Sequence, residues 1–141
     1  MSLDRFTTEW SVFIGNNWDI FASFIPKSPT SASLAKRSFK NFFKNLNNPR
    51  YGVKFYEKYI YSWVFIEKNS FRRGCHIHTL VRGIDPALAP QLQEVSRKYF
   101  SPWSQVVAYD PAKGARHYLV KKILNRTLED YDFYKINSRW R

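Results

Sequence analysis

Tyr59-Ile60-Tyr61-Ser62-Trp63-Val64-Phe65-Ile66-Glu67, a polar and basic loop over residues 68–74, and Cys75-His76-Ile77-His78-Thr79-Leu80-Val81 form the stretch that decides the fold. Both ends are dense in aromatic and β-branched types, and the loop between them is Lys-Asn-Ser-Phe-Arg-Arg-Gly. The pattern predicts two strands joined as an antiparallel hairpin. Strand side chains alternate between faces, so His76, His78 and Leu80 share one face, and Cys75, Ile77 and Thr79 share the other. If Glu67 faces His76, then Phe65 faces His78 and Trp63 faces Leu80. Opposed residues share a face, so that register brings a carboxylate beside two imidazoles.

The remaining elements are read outward from this hairpin. Residues 18–25 form a strand ended by Pro26, and Ser28-Pro29-Thr30-Ser31 is a turn and helix cap. Over residues 31–47, Leu34, Phe39, Phe42, Phe43 and Leu46 recur at helical spacing beside Lys36, Arg37, Lys40 and Lys44. That spacing gives an amphipathic helix with a basic outer face. A helix is expected over 87–100, a short strand over 105–109, a third helix from Asp110 to about Asn125, and a last strand over 131–136. A hairpin with helices on one side predicts an α+β fold. Its centre is an antiparallel sheet flanked by helices, and the split βαβ, ferredoxin-like arrangement is the nearest common motif.

The chain has 141 residues, a length for one domain spanning 1–141. Lys and Arg number 23 against 11 Asp and Glu, a net charge of +12, and aromatics make up 18%. Disordered basic tails lack aromatics, whereas a basic, aromatic-rich folded domain suits a polyanion whose units stack, such as single-stranded nucleic acid. The single Cys75 excludes an internal disulfide and fits a reducing compartment. No apolar run reaches the roughly 18 residues of a membrane span, and the first residues lack a signal-peptide pattern. The expectation is an intracellular protein without a membrane partner.

Glu67, His76 and His78 form a His, His, carboxylate set that leaves coordination positions open, as a catalytic metal requires. Such ligands suit Mn²⁺, Mg²⁺ or Zn²⁺, and phosphoryl chemistry favours Mn²⁺ or Mg²⁺. Alternation turns Cys75 away from the set. The second informative segment is Ala115-Arg116-His117-Tyr118-Leu119-Val120-Lys121-Lys122. On a helix, Lys121 and Lys122 flank Tyr118 at about 60° and 40° to either side, while Leu119, Val120, Ile123 and Leu124 occupy the opposite side. This reads either as a surface tyrosine or as a phenol whose ionisation and attack on a phosphate are assisted by ammonium groups.

His76-Ile77-His78 in an apolar strand resembles the His-hydrophobic-His motif of the HUH endonucleases. Tyr118-Leu119-Val120-Lys121 resembles the Tyr-x-x-Lys motif of their single-tyrosine replication-initiator (Rep) branch. Phe21-Ala22-Ser23-Phe24 sits where that branch keeps a first, structural motif, and Glu67 matches its usual third metal ligand. The motifs follow the Rep order; conjugative relaxases place the tyrosine before the histidines, and histidine-triad hydrolases need a third His where this chain has Leu80. The resemblance implies a Rep nuclease fold, RRM-like, with about five antiparallel strands. It implies a metal-dependent nick in single-stranded DNA, often beside a hairpin at an origin. Tyr118 would hold the 5′-phosphate, with Lys121 assisting and Lys122 auxiliary. Such a nick initiates rolling-circle-type replication or mobile-element transfer in a bacterial, archaeal or virus-infected cell. Helicase or host replication proteins would be partners on other chains. Lys68, Arg72 and Arg73, in the loop between the metal-bearing strands, are expected on DNA phosphates. The rival reading is a non-catalytic module that binds single-stranded nucleic acid by stacking bases on an aromatic sheet.

Overall fold

The computed structural model describes residues 14–69, 73–113 and 128–140. The described elements are β1 (Ile20–Phe24), α1 (Ala32–Asn45), β2 (Tyr59–Lys68), β3 (Cys75–Arg82), α2 (Ala89–Ser96), β4 (Gln105–Ala108) and β5 (Leu128–Asn137), with single 3₁₀ turns at Pro49–Tyr51, Pro86–Leu88 and Pro111–Lys113. The strands form one sheet in the order β4-β1-β3-β2-β5, and every neighbouring pair is antiparallel. The first four strands thus interleave as two βαβ units, the split βαβ arrangement, and β5 extends the sheet beyond β2.

Alternation sorts the strands into two faces. Ile20, Ala22, Phe24, Ile60, Val64, Ile66, Cys75, Ile77, Val81, Val106 and Ile136 point to the helices and are buried with Phe39, Phe42, Phe43 and Leu46 of α1 and its C-terminal cap. Ser31 caps α1, its side chain accepting from the Leu34 backbone N–H. Leu34, expected on the apolar stripe, is instead 49% exposed; Ala35 takes the buried position in that turn. The expected helix over 87–100 is shorter, a 3₁₀ turn followed by α2. Pro90 sits in its first turn, where a missing N–H costs nothing, and the chain leaves the helix by turns after Ser96. The last strand is longer than expected, starting at Leu128.

Part of the basic face of α1 holds β5 in place. Lys36 forms ion pairs with Asp130 and Asp132, and Lys40 lies 4.9 Å over the ring of Tyr134. These contacts give part of the basic outer face of α1 a packing role. Among the described residues no helix is long and apolar enough to cross a membrane.

Candidate metal centre

The β2–β3 register pairs Glu67 with His76, and with it Phe65 with His78 and Trp63 with Leu80, the pairing that sets the carboxylate on the histidine face. Glu67 Oε2 lies 3.1 Å from His76 Nε2 and 2.8 Å from His78 Nε2. One ligand atom from each residue falls within 4.8 Å of the others, so the three can hold a metal ion. Adjacent ligands of an octahedral ion bound at about 2.1 Å stand about 3.0 Å apart, which the two Glu67 contacts approach. The Glu67 side chain is 3% exposed, whereas His76 and His78 keep 22% and 12%. The set is therefore buried at its carboxylate and open on the imidazole side.

Each imidazole is oriented from behind. His78 Nδ1 lies 2.8 Å from Ser23 Oγ, on the neighbouring strand β1, where Ser23 and His78 are register partners. His76 Nδ1 lies 2.7 Å from Asn69 Oδ1. The Asn69 amide donates from Nδ2 to the Arg73 carbonyl, which turns Oδ1 toward the ring, so His76 Nδ1 carries the proton. Neutral His76 then presents the lone pair of Nε2 to a carboxylate oxygen. Two acceptors at 3.1 Å need a cation between them, either a second proton or a metal ion. A buried carboxylate facing two imidazole nitrogens is a donor set that fits a divalent cation.

Backbone features fix these groups. Asn69 N–H donates to the Gly74 carbonyl, closing the β2–β3 loop. Gly74 has φ +89°, and a Cβ there would stand 2.9 Å from Pro29 Cα, so both conformation and space demand glycine. On the other side of β2, the pairing with β5 shifts between Ile66 and Glu67, leaving Leu128 opposite Glu67. Such a bulge re-aims the side chains around it. Cys75 is buried in the helix-side core with its thiol pKa pushed up, chiefly by burial, and its Sγ contacts the Thr30 carbonyl; it lies on the face away from the set.

The face that carries the metal centre also carries an aromatic ribbon. Phe65 and Trp63 stack at 5.9 Å, Trp63 meets Phe133 edge-on at 5.1 Å, Phe133 stacks on Tyr61 at 5.9 Å, and Tyr61 meets Tyr59 at 5.2 Å. Arg82 lies over Tyr61 and Trp18, and Lys135 lies 4.2 Å over Tyr59. From Glu67 to Tyr59 the ribbon runs about 26 Å along β2. Near the metal centre it is covered: Ile14, Phe65 and Leu80 form a small second core. Farther along β2, Tyr59 and Phe133, opposite Trp63, are exposed, and so is Tyr131, opposite Phe65 on the edge strand β5.

Of the residues singled out from the sequence, Glu67, His76 and His78 come together. Lys68 pairs with Cys75, a register position on the opposite face from Glu67. Arg73 borders a small crevice with Pro26, Pro29 and Cys75. Arg72, Tyr118, Lys121 and Lys122 lie outside the described residues, as does most of the third expected helix. Sequence reasoning passed over Ser23 and Asn69. Ser23 has the strand parity of the metal-centre face, and Asn69 lies in the loop already read as polar, but neither spacing names the histidine it meets. No protein-family model, curated protein or solved structure matches the chain.

Proposed function

We propose that this protein is a metal-dependent, site-specific endonuclease that nicks single-stranded DNA and transfers the cut strand, in the manner of the single-tyrosine Rep nucleases. The observation that carries this reading is the convergence of Glu67, His76 and His78 on one point of a sheet face lined with aromatic rings. Glu67, His76 and His78 would hold a divalent cation, Mn²⁺ or Mg²⁺, which would supply Lewis-acid polarisation of the scissile phosphate. Tyr118 is the nucleophile. Its Oη loses a proton and bonds to phosphorus, the bond from phosphorus to the 3′-oxygen breaks, and that oxygen leaves as a 3′-hydroxyl after taking a proton. The 5′-phosphate stays on Tyr118, and the reverse attack by a 3′-hydroxyl rejoins a strand. Lys121, with Lys122 as an auxiliary, favours the phenolate and offsets charge on the phosphate in flight.

Tyr118 stands ten positions before Leu128, the residue opposite Glu67. A separation that short is compatible with attack by Tyr118 on a phosphate held at the metal centre. Tyr61, Trp63 and Phe133, with Arg82 and Lys135, suit stacking of bases and neutralisation of phosphates next to the cut. Lys68, Arg72 and Arg73 are proposed phosphate contacts. The cellular role that fits is initiation of rolling-circle-type replication or mobile-element transfer from an origin hairpin, inside the cell and with helicase or host replication proteins on other chains.

The test is a denaturing gel of wild type and Tyr118→Phe incubated with single-stranded and hairpin DNA pools, in Mn²⁺ or in chelator. The expected result is a protein–DNA adduct that needs both the metal and Tyr118. The aromatic ribbon favours a second reading, a binding module without chemistry. Salt-sensitive binding with no adduct on any substrate would select that reading.

A further inference from the structure

A second constellation lies on the other side of the sheet, against the helix-side core. The 3₁₀ turn Pro49–Tyr51 and the turns after α2 bring Tyr51 and Tyr99 together, their hydroxyls 2.6 Å apart. Two cations converge on Tyr51: the Arg50 guanidinium, 5.2 Å from the ring and donating to the hydroxyl at 3.2 Å, and Lys98 Nζ, 5.0 Å from the ring. Neither cation has a carboxylate within ion-pair distance among the described residues. Burial raises the Tyr51 phenol, but its bond to Tyr99 and the Arg50 and Lys98 charges outweigh that, and its pKa is lowered overall.

Beside this cluster is a cavity of about 210 Å³. Its floor is the partly exposed Val53 above the buried Phe55 and Val95, and Tyr51 lines it as well. Arg50 and Lys98 border it, and Gln91 and Glu94 add an acceptor-rich edge. Drug-sized ligands fill roughly 300–1,000 Å³. A whole nucleotide is too large for the cavity, but one flat ring fits with its phosphate left at the rim. An inorganic anion would leave the apolar floor uncovered, and a fatty anion would leave Gln91 and Glu94 facing hydrocarbon. A ring with polar edges carrying a phosphate satisfies floor, edge and cations together.

We propose that this cavity binds a phosphorylated nucleoside, with the ring on Val53, Phe55 and Val95 and the phosphate between Arg50 and Lys98. The ligand is either a free mononucleotide or one unit of a DNA strand. The site lies apart from Glu67, His76 and His78 and is independent of nicking.

The test uses the full chain carrying Tyr118→Phe, so that strand cleavage plays no part, with NMR observation of the Val53 and Val95 methyl groups. Titration with dAMP or dTMP is expected to shift both residues saturably. Inorganic phosphate should bind at least tenfold more weakly, and the Arg50→Gln/Lys98→Gln double variant should weaken nucleotide binding at least tenfold with the rest of the spectrum unchanged. Displacement of the mononucleotide by a short oligonucleotide supports the site with the strand as its source; binding of mononucleotide that an oligonucleotide does not displace supports it with free nucleotide as the source. Unmoved valine signals, equal binding of phosphate alone, or full affinity in the double variant would each overturn the proposal. None of these results bears on the adduct assay, which reads Tyr118 and the metal alone.

Discussion

On the helix-covered face of the sheet, Phe24 stacks on Phe100 at 4.7 Å and meets Phe42 edge-on at 5.5 Å, with Phe39 and Phe43 around it and no polar partner among these rings. On the opposite face, one strand step away, the same chain sets Glu67 under two imidazoles and lines β2 with rings capped by Arg82 and Lys135. The first face excludes water and gains stability from burial. The second gives up part of that gain by holding a nearly buried carboxylate and leaving Tyr59, Tyr131 and Phe133 exposed. Burying a carboxylate is costly unless its charge is paired, and exposed rings keep apolar surface in water. Both features become intelligible when the second face binds a cation and a polyanion.

This contrast can be broken first from the side of the core. Phe24→Ala empties the centre of five packed rings, and the expected loss is about 3–5 kcal/mol of unfolding free energy in urea denaturation. Metal binding should vanish with the fold, because β1 carries Ser23 as well as Phe24. A loss under about 1 kcal/mol would mean that the rings are not the main source of stability.

Glu67→Gln tests the other face. The amide keeps the shape and removes the charge that a divalent ion needs. Mn²⁺ affinity is expected to fall at least 100-fold in calorimetric titration. Metal at about 100 times its dissociation constant should stabilise wild type by about 2.7 kcal/mol and leave the variant unmoved in thermal unfolding. Chelation should return wild type to the level of the variant. Equal metal stabilisation in both would place the ion elsewhere.

Asn69→Ala and Ser23→Ala sharpen the comparison further. Each removes one group behind an imidazole and none of the ligands. The expected cost is 10–100-fold in Mn²⁺ affinity for either, with the change in unfolding free energy without metal at most about 1 kcal/mol. These two residues mark where reading the sequence stopped. With Glu67 set opposite His76, period-two alternation in a single hairpin puts the carboxylate and both histidines on one face, so the ligand set, the two-faced sheet and the α+β class were all legible. Ser23 meets His78 only because β1 lies beside β3, a neighbour relation set by crossovers between strands distant in sequence. Asn69 meets His76 only because the loop folds back onto Arg73 and Gly74. The bulge beside Glu67 and the early start of β5 likewise depend on pairing between strands distant in sequence, Glu67 with Leu128, that no local pattern names.

Lys36→Met gives the smallest effect and asks whether the two faces are independent. Lys36 reaches from α1 to Asp130 and Asp132, which sit on the helix side of β5 just past the bulge at Glu67. The lysine is mostly covered, yet the aspartates are about half exposed, so removing the pair is expected to cost about 1 kcal/mol. Its hydrogen bonds to Asp130 and Asp132 hold the Lys36 pKa above its ordinary 10.5. The folded state therefore binds this proton more tightly than the unfolded chain. The stabilisation is fully present below pH 10.5 and fades as the pH rises past it, so the gap between wild type and Lys36→Met in denaturant unfolding should narrow above that pH. Mn²⁺ affinity should stay within about threefold of wild type, because β2 and β3 carry all three ligands and pair directly with each other. A fall beyond tenfold would show instead that α1, acting through β5 and its bulge, sets the position of Glu67, and that the packed face tunes the chemical one.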